Sequence, residues 1–247
     1  MDLKKLYIEK AVYPAMSLLQ HNRVMEYTRA LLNSETMEPE LRNVELRQRL
    51  SELLFLCRDH VPAYTDLPFT ELELRREALD CMQAVDPVPL SDFLAQAHEY
   101  LVRDADTDHL LHTVYSPDGQ LNVDLYYSEK QVERYEAARW RGLSWYGVTY
   151  GSRSVLLWDR PRDPYFLREE PYMKNRLYLS VCAMTDRSVQ PTLEEIDRFS
   201  PEYISGSASA LTVLADGMER TGLRLQTTLK VITVTRGAAN GQLRRRL

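Results

Sequence analysis

YISGSASALTVLADGMERTG, residues 203–222, and KVITVT, residues 230–235, set the fold class of this chain. Tyr203–Gly206 is a short β-prone stretch that runs into a turn. Ala208 to Thr221 has a helical composition, and Gly222 can end that helix because glycine adopts the left-handed conformation without a steric penalty. Lys230–Thr235 is rich in β-branched residues and predicts a strand. A strand, a helix and a second strand in this order predict two neighbouring parallel strands.

The same alternation extends towards the N-terminus. Ser154–Trp158 and Tyr178–Val181 are short apolar runs suited to buried strands. Ser128 to Tyr146 predicts a long helix that Gly147 ends. A further helix is expected over Thr192–Phe199, opened by Pro191 and Thr192. From about residue 120 the pattern therefore predicts an α/β fold with a mixed, largely parallel sheet flanked by helices.

A strand–turn–strand pattern precedes this region. Leu111–Tyr115 is β-branched and aromatic, Ser116–Gly119 reads SPDG and is typical of a turn, and Leu121–Tyr126 alternates apolar and polar residues. We therefore expect a β-hairpin between the helical front of the chain and the α/β region.

Residues 1–109 are predicted to be mainly helical, and residues 110–247 to form an α/β subdomain, the two making one continuous structural unit. Helices are expected over Met25–Leu32, Glu40–His60 and Glu71–Met82, the last with a capping box, and over Asp92–Val102 with Ser91 as its N-cap. The expected inner face of the second of these helices consists of Leu41, Val44, Leu50, Leu53, Leu54 and Cys57.

The composition is that of an ordinary globular protein. The 247 residues are 44% hydrophobic and 27% charged, with a net charge of −5. An acidic balance does not favour nucleic acid or an anionic membrane as a partner. The sequence contains no apolar stretch of about 20 residues and no signal-peptide pattern, so a cytoplasmic protein without a membrane span is expected. Cys57, Cys81 and Cys182 are predicted to be reduced and buried.

Several segments resemble, in order, those of the phenylacetate–CoA ligase and capsule-biosynthesis type of adenylate-forming enzyme. Leu54–Tyr64, LFLCRDHVPAY, is similar to its H-V-P-x-Y segment, and Gln131–Trp158 to its helix followed by G-x-x-x-G-D-x-x-x-x-W. Phe199–Leu214, FSPEYISGSASALTVL, resembles its P-x-x-I-x-G-Y-P-S-x-L segment. Leu229–Thr235 is similar to the strand before its G-E adenine-pocket motif. The resemblance covers nearly the whole chain and implies the front portion of such a ligase.

In that family a loop of the form T-S-G-S-T-G-x-P-L wraps the ATP phosphates, and His112–Leu121 lies where it is expected. The resemblance implies that Thr113, Ser116 and Gly119 would contact the phosphates and that Gly237 would lie at the adenine. The cofactor implied is ATP with Mg²⁺, and whether CoA is used stays open.

The loop departs from the family pattern at several positions. Val114 and Tyr115 stand where Ser and Gly are expected, Pro117 replaces Thr, and Asp118 replaces Gly. Proline removes an amide donor, and an aspartate places negative charge beside a polyphosphate. The composition SPDG favours a plain β-turn over a working phosphate loop. Gly237 is followed by alanine, so the acid of the G-E motif is also missing.

The resemblance and its departures leave two functions open. In one, the chain is a catalytically impaired homologue that acts as a binding or partner subunit in a biosynthetic pathway. In the other, it belongs to an active ATP-dependent ligase that activates a small carboxylic acid, represented by an incomplete chain or completed by a second polypeptide. The sheet edge expected after Val234 favours a homodimer or a second polypeptide as a partner.

Other constellations favour structural roles. His109 and His112 with three nearby aspartates could hold a metal, but a solvated acidic loop is the favoured interpretation. Cys57 and His60 lack a third partner that would suggest a nucleophile pair. The aromatic residues are predicted to be core rather than a ligand platform; they are Trp140, Trp145, Tyr146 and Trp158.

Overall fold

A computed structural model describes residues 2–103, 111–115, 122–158, 175–236 and 241–246. The chain folds into two compact units. One consists of Met1–Thr28 together with Glu136–Leu247, and the other of Arg29–Tyr135. The first unit is therefore assembled from the two ends of the chain, and the second from its middle.

The unit of Arg29–Tyr135 is built from helices and one hairpin. Its elements are α3 (Val24–Glu35, which begins in the other unit), α4 (Pro39–His60), α5 (Glu71–Arg76), α6 (Ala78–Gln83), α7 (Leu90–Ala95), β1 (Leu111–Tyr115), β2 (Asn122–Tyr126) and the first half of α8 (Glu129–Ser144). β1 and β2 pair antiparallel, with Leu111 opposite Tyr126 and Tyr115 opposite Asn122. The predicted hairpin is therefore confirmed in its two strands, while its turn lies outside the described residues.

The expected inner face of α4 is only half right. Leu54 is buried, and Leu50 packs beside it against Leu74 of α5 and Cys81 of α6. The other predicted residues behave differently: Cys57 is half-buried, and Leu41, Val44 and Leu53 are exposed. The reason is length, because α4 has 22 residues whereas α5 and α6 have six each and pack only against its C-terminal half.

Two further helices differ from the sequence prediction in this unit. The capping box of Thr70 and Glu73 is confirmed, but the helix breaks at Glu77, so α5 and α6 replace one helix over Glu71–Met82. The break lets residues on both short helices face the same cluster. α7 begins at Leu90, not after Ser91, and the Phe93 amide donates to the Pro89 carbonyl at 3.0 Å, which makes Pro89 the N-cap.

The larger unit is an α/β fold. Its N-terminal helices are α1 (Leu3–Tyr7), a π-helical turn (Ile8–Val12) and α2 (Tyr13–Leu19). After α8 follow β3 (Ser154–Trp158), β4 (Arg176–Ser180), α9 (Asp186–Phe199), β5 (Tyr203–Ser207), α10 (Ala208–Thr221), β6 (Val231–Arg236) and α11 (Gly241–Arg246).

The four strands of this unit form one parallel sheet. Their order is β4-β3-β5-β6, so the chain places β3 and β5 in the centre and β4 and β6 at the two edges of the sheet that the structure describes. All three pairings are parallel. The predicted α/β class, with a parallel sheet flanked by helices, is confirmed. It follows that the carboxyl ends of all four strands lie at one edge of the sheet.

The core of this unit lies between the sheet and helices α9 and α10. It is formed by apolar residues that are almost fully buried: Val155, Leu157, Leu179, Val189, Leu193, Ile196, Ile204, Leu211 and Leu214. Gly217 of α10 lies so close to α9 that a Cβ atom there would come within 2.8 Å of Val189 Cγ2. The two helices can therefore approach closely only because residue 217 has no side chain.

The start of α9 corrects another prediction. The helix begins at Asp186 after Thr185, and Ser188 Oγ accepts a hydrogen bond from the Thr185 amide at 2.9 Å. Pro191 lies inside the helix instead of opening it. The earlier turn is retained because it buries Val189 in the core, which outweighs the one backbone donor that proline lacks.

The aromatic residues and cysteines also divide differently from expectation. Trp140 of α8 is buried, but Trp145 and Tyr146 are 62% and 55% exposed, so they are not core. On α8, Ala137, Trp140 and Leu143 are buried, whereas Val132, Tyr135 and Ala138 are exposed. Trp145 and Tyr146 follow the end of α8 at Ser144. Cys81 is buried, but Cys57 is only half-buried, and Cys182 is exposed after edge strand β4.

Candidate functional site

The carboxyl edge of the parallel sheet presents a short row of residues. Trp158 at the end of β3 lies opposite Ser180 of β4. Leu157 lies opposite Gly206, which places Ser207 of β5 beside Trp158, and Ser207 in turn lies opposite Arg236 of β6. In open α/β sheets, ligands bind in the crevice outside the carboxyl ends of the strands. This row is therefore the candidate site.

The junction of β5 with α10 supplies the polar groups at the centre of the row. β5 ends at Ser207 and α10 begins at the next residue. Ser207 Oγ accepts a hydrogen bond from the Ala210 amide at 3.1 Å, which caps the helix. Ser209 Oγ lies 2.8 Å from Ser207 Oγ. The N-terminus of a 14-residue helix thus lies at the sheet edge, where its free amides favour negative or electron-rich groups.

The strand beneath this junction is fixed by one glycine and one hydroxyl pair. A Cβ atom at Gly206 would lie 3.2 Å from Leu157 Cβ, a tight contact, so a side chain at position 206 would need β3 to yield by a few tenths of an ångström. Ser205 is buried, and its Oγ is hydrogen-bonded to Thr233 Oγ1 on β6. These contacts join the end of β5, where Ser207 lies, to both neighbouring strands.

The β4 end of the row carries a hydroxyl and a thiol. Ser180 Oγ donates a hydrogen bond to Cys182 Sγ at 3.2 Å, and Cys182 is exposed. Among the row residues whose side chains the structure describes, namely Ser180, Trp158 and Ser207, none is an acid or a histidine. The row can donate and accept hydrogen bonds and stack against a ring, but these three side chains supply no general acid or base.

Ionisable residues cluster near the amino ends of the strands, opposite the candidate-site row. Lys5 Nζ donates to Glu202 Oε1 and Oε2 at 2.7 and 2.8 Å, and Lys230 Nζ donates to Glu202 Oε2 at 2.6 Å. Burial tends to raise the pKa of Glu202, but the two ammonium groups outweigh it and leave the pKa below its usual range. Lys230 Nζ also donates to the Gly147 carbonyl at 2.8 Å. These contacts link α1 to the residues that precede β5 and β6 and to the residue that ends the α8 region. The cluster therefore has a structural role.

An aromatic cluster packs under the N-terminal helices of the same unit. The rings of Tyr13 and Tyr150 stack at 4.2 Å, and Trp140 lies 4.6 Å from Tyr150. Burial raises the pKa of Tyr13 well above its usual range. Burial alone would lower the pKa of Arg139, but the neighbouring Tyr203 and Glu136 raise it on balance. The cluster is an ordered, charge-stabilised piece of the interior.

The site residues predicted from the sequence fall in several places. Thr113 is the middle residue of β1, in the unit of Arg29–Tyr135, and lies opposite Asp124 in the antiparallel ladder. Ser116, Gly119 and Gly237 lie outside the described residues. The Gly206–Ser209 segment belongs to a motif of the resemblance, yet none of its residues is among the predicted site residues. The available signal was a serine that ends a predicted strand and directly precedes a predicted helix.

Neither a metal site nor a membrane span emerges from the described ranges. No group of three or more His, Cys, Asp and Glu side chains is arranged there to hold a metal ion. The histidine and aspartate run that includes His109 lies largely outside those ranges. Within the same part of the chain, no helix combines the length and apolar character that crossing a membrane requires.

Comparison with known proteins gives a partial likeness to a solved structure. No protein-family model matches the chain, and no curated protein matches it. Among solved structures, the chain is similar to a 2-hydroxyisobutyryl-CoA ligase in the postadenylation state, in complex with R3-HIB-AMP. The identity is 16% and the TM-score 0.48, over 76% of this chain and 41% of that one. The chain thus spans less than half the length of that ligase. What the fold and the site define by themselves is an α/β protein with a hydroxyl-bearing carboxyl edge.

Proposed function

We propose that this chain is an adenylate-forming type of fold, similar to the front portion of phenylacetate–CoA ligases, that no longer activates carboxylic acids and acts as a cytoplasmic binding or partner subunit. The proposal has two parts. The first concerns the type of fold and rests on the order of motifs and on the β5–α10 junction. The second concerns the lost activity and rests on the phosphate loop.

The β5–α10 junction supports the first part. The segment that resembles P-x-x-I-x-G-Y-P-S-x-L forms a buried strand, a glycine pressed against the neighbouring strand, and a helix that starts at the carboxyl edge. Those features account physically for a glycine at position 206 and a hydroxyl at position 207. A small polar ligand could be held there by Ser207 and the helix amides.

One observation carries the second part: Thr113 lies opposite Asp124 in the β1–β2 ladder. Residues directly opposite each other in an antiparallel pair are close neighbours. Three residues are predicted to contact the phosphates, and of these only Thr113 lies in the described part of the chain. The residue opposite it in the ladder is an acid. Pro117 and Asp118 remove an amide donor and add a second negative charge nearby in sequence. Together they fit a polyphosphate poorly, so ATP with Mg²⁺ is not expected to bind tightly, and no step through ATP or CoA is assigned.

The test is carboxylate-dependent ATP–pyrophosphate exchange with the whole purified chain, over a panel of aryl and acyl acids. We expect no exchange above background, and robust exchange with any acid would sink the proposal. A repaired variant, Pro117→Thr with Asp118→Gly, makes the negative result informative. Calorimetric titration with ATP and Mg²⁺ should show tighter binding to the repaired variant than to the wild type. A conservative Val114→Ile variant serves as the control for changes in the same segment.

The alternative function is that of an active ATP-dependent ligase represented by an incomplete chain or completed by a second polypeptide. The position of β6 favours it, because this strand is an edge of the sheet that the structure describes and an edge invites a further strand. The discriminating observation is the coding sequence around this segment. A reading frame that continues into a ribose-binding acid and a lid lysine, or a co-purifying chain that carries them and restores exchange, would favour the alternative.

A further inference from the structure

A pocket lies beside the outermost strand β6, near the amino end of that strand. It is therefore distant from the candidate-site row, which lies at the carboxyl ends of the strands. It is formed by the end of α10, the segment that leads from α10 to β6, the first residues of β6, and α11. Its volume of about 730 Å³ is within the usual range for ligand-binding pockets. None of its lining residues belongs to the candidate site described above.

The floor of this pocket is apolar and incompletely covered. Residues that pack on the core with one side and remain partly accessible line it; they are Met218, Leu223, Leu225, Leu229 and Ile232. The wall over residues 223–229 is fixed by Asp197, whose Oδ1 accepts hydrogen bonds from the Gln226 and Thr227 amides at 3.0 and 2.8 Å. The pocket is therefore bounded by an anchored segment.

Two exposed arginines lie at the rim of the pocket. Arg224 and Arg245 are exposed, and no hydrogen bond or ion pair to either side chain is found within the described residues. Arg246 is engaged: it binds both oxygens of Glu219 at 2.6 and 2.9 Å and also pairs with Asp216. Glu219 and Asp216 are both engaged by Arg246, and Asp197 by the Gln226 and Thr227 amides, so the two exposed arginines are the charges around the pocket that face no acid within the described residues. A complementary partner is therefore negatively charged.

The edge strand beside the pocket can take part in recognition. β6 pairs with β5 on one side, and within the described sheet its other side carries no strand. Every second residue of such a strand directs its N–H and C=O groups away from the sheet, where an extended peptide can bind them. An edge of this kind is commonly covered in the functional assembly.

From these features we propose that the β6 edge and its pocket bind an acidic, extended peptide segment of a partner protein. The segment adds as a strand along β6, places an apolar side chain on the Leu225 and Leu229 floor, and sets carboxylates against Arg224 and Arg245. The proposal rests on the partner role proposed above and gives that partner its chemistry. A second copy of this chain fits less well, because self-pairing through β6 would bring two sets of these rim arginines into one interface.

The test uses the whole chain and a fluorescein-labelled peptide of alternating glutamate and valine, followed by fluorescence anisotropy. We expect saturable binding that weakens at high salt. The double variant Arg224→Glu with Arg245→Glu should weaken binding by roughly tenfold or more, since like charges would then face each other. The double reversal Arg47→Glu with Arg76→Glu, at exposed arginines of α4 and α5, changes the net charge by the same amount, so it is the matched control and should leave binding unchanged. Circular dichroism of each variant verifies folding.

Peptide variants separate strand addition from simple charge attraction. A peptide that is N-methylated at the residues facing β6 keeps its charge but loses the backbone N–H groups that would donate to β6. It should bind roughly tenfold more weakly or worse. A version with lysine in place of glutamate should not bind. Equal binding of the methylated peptide, or insensitivity to the double reversal, overturns the proposal. So does sedimentation showing a β6-mediated dimer that excludes the peptide. The exchange assay is independent: activity there would refute the lost-activation proposal and leave this binding result standing.

Discussion

Lys5 and Glu202 are 197 residues apart in sequence, yet the Lys5 ammonium group donates to both oxygens of the Glu202 carboxylate, at 2.7 and 2.8 Å. Both side chains are largely shielded, with 23% and 18% of their surface exposed. The backbone of Lys5 also lies close to Gly151. A Cβ atom at Gly151 would collide with the Lys5 carbonyl oxygen, so this contact requires a glycine. The N-terminal helix is thereby attached to the α/β unit as an integral part of it.

Replacing Lys5 by methionine should lower the free energy of unfolding by about 1–2 kcal/mol, because a shielded carboxylate loses two charge-assisted hydrogen bonds. The loss is limited, since Lys230 still binds Glu202. Lys4→Met is the matched control: Lys4 is exposed next to it, and its replacement should change stability by less than about 0.5 kcal/mol. Urea unfolding of both variants checks this. Equal effects of the two substitutions would show that the Lys5–Glu202 contact does not stabilise the fold.

The pH dependence of stability should carry the signature of Glu202. Its pKa in the folded protein lies below the usual range of a glutamate, since the two lysines outweigh the effect of burial. A lowered pKa in the folded state gives stabilisation that is complete above the pKa of the unfolded chain and is lost as the pH falls through the folded value. The difference in unfolding free energy between wild type and Glu202→Gln should therefore be largest near neutral pH and shrink in acid. Urea midpoints from neutral pH down to about pH 3.5, below the ordinary glutamate pKa, measure it, and a difference independent of pH would contradict the prediction.

The contrast between predicted and observed structure follows from the range of the interactions involved. The parallel sheet could be predicted because Val155, Leu157, Ile204 and Ile232 belong to short apolar runs separated by helical ones, and that pattern is local. The left-handed caps at Gly147 and Gly222 are local in the same way, and both glycines have positive φ. The Lys5–Glu202 contact could not be predicted, because nothing in either residue's neighbourhood specifies a partner at the other end of the chain.

The errors have similar physical causes. Pro191 predicts a helix start because proline is favoured there, but burial of Val189 extends α9 to Asp186. The hydroxyl row could not be assembled from the sequence, since Ser180 and Ser207 meet at one edge only through the strand order β4-β3-β5. Periodicity also overestimates the inner face of α4, because it reports amphipathic spacing and not the length of the helices that cover it.

Two helical glycines should respond in opposite directions to replacement by alanine. A Cβ atom at Gly142 of α8 meets nothing within 4 Å, so Gly142→Ala should stabilise the protein by about 0.5–1 kcal/mol through helix propensity. A Cβ atom at Gly217 would lie 2.8 Å from Val189 Cγ2, so Gly217→Ala should destabilise it by about 1–3 kcal/mol. The measurement is thermal or urea unfolding of each variant.

A second substitution tests the cause of the Gly217 effect. The double variant Gly217→Ala with Val189→Ala removes the colliding methyl group, so the two changes should couple and cost less together than the sum of their separate effects. Strictly additive costs would show that the α9–α10 approach is not what requires a glycine.

Ser207 should show both a structural and a positional role at the candidate site. Its Oγ accepts from the Ala210 amide and caps α10, so Ser207→Ala should lower the unfolding free energy by about 1 kcal/mol. Ser207→Asp keeps an N-cap acceptor and should preserve stability within about 0.5 kcal/mol, while adding negative charge at the carboxyl edge. Any small anion that binds this edge should therefore bind Ser207→Ala with modest loss and Ser207→Asp much more weakly. Urea unfolding and calorimetric titration of the same two variants separate capping from binding. An aspartate variant that is as unstable as the alanine variant would argue that the Ser207 hydroxyl is held for a contact other than the helix cap.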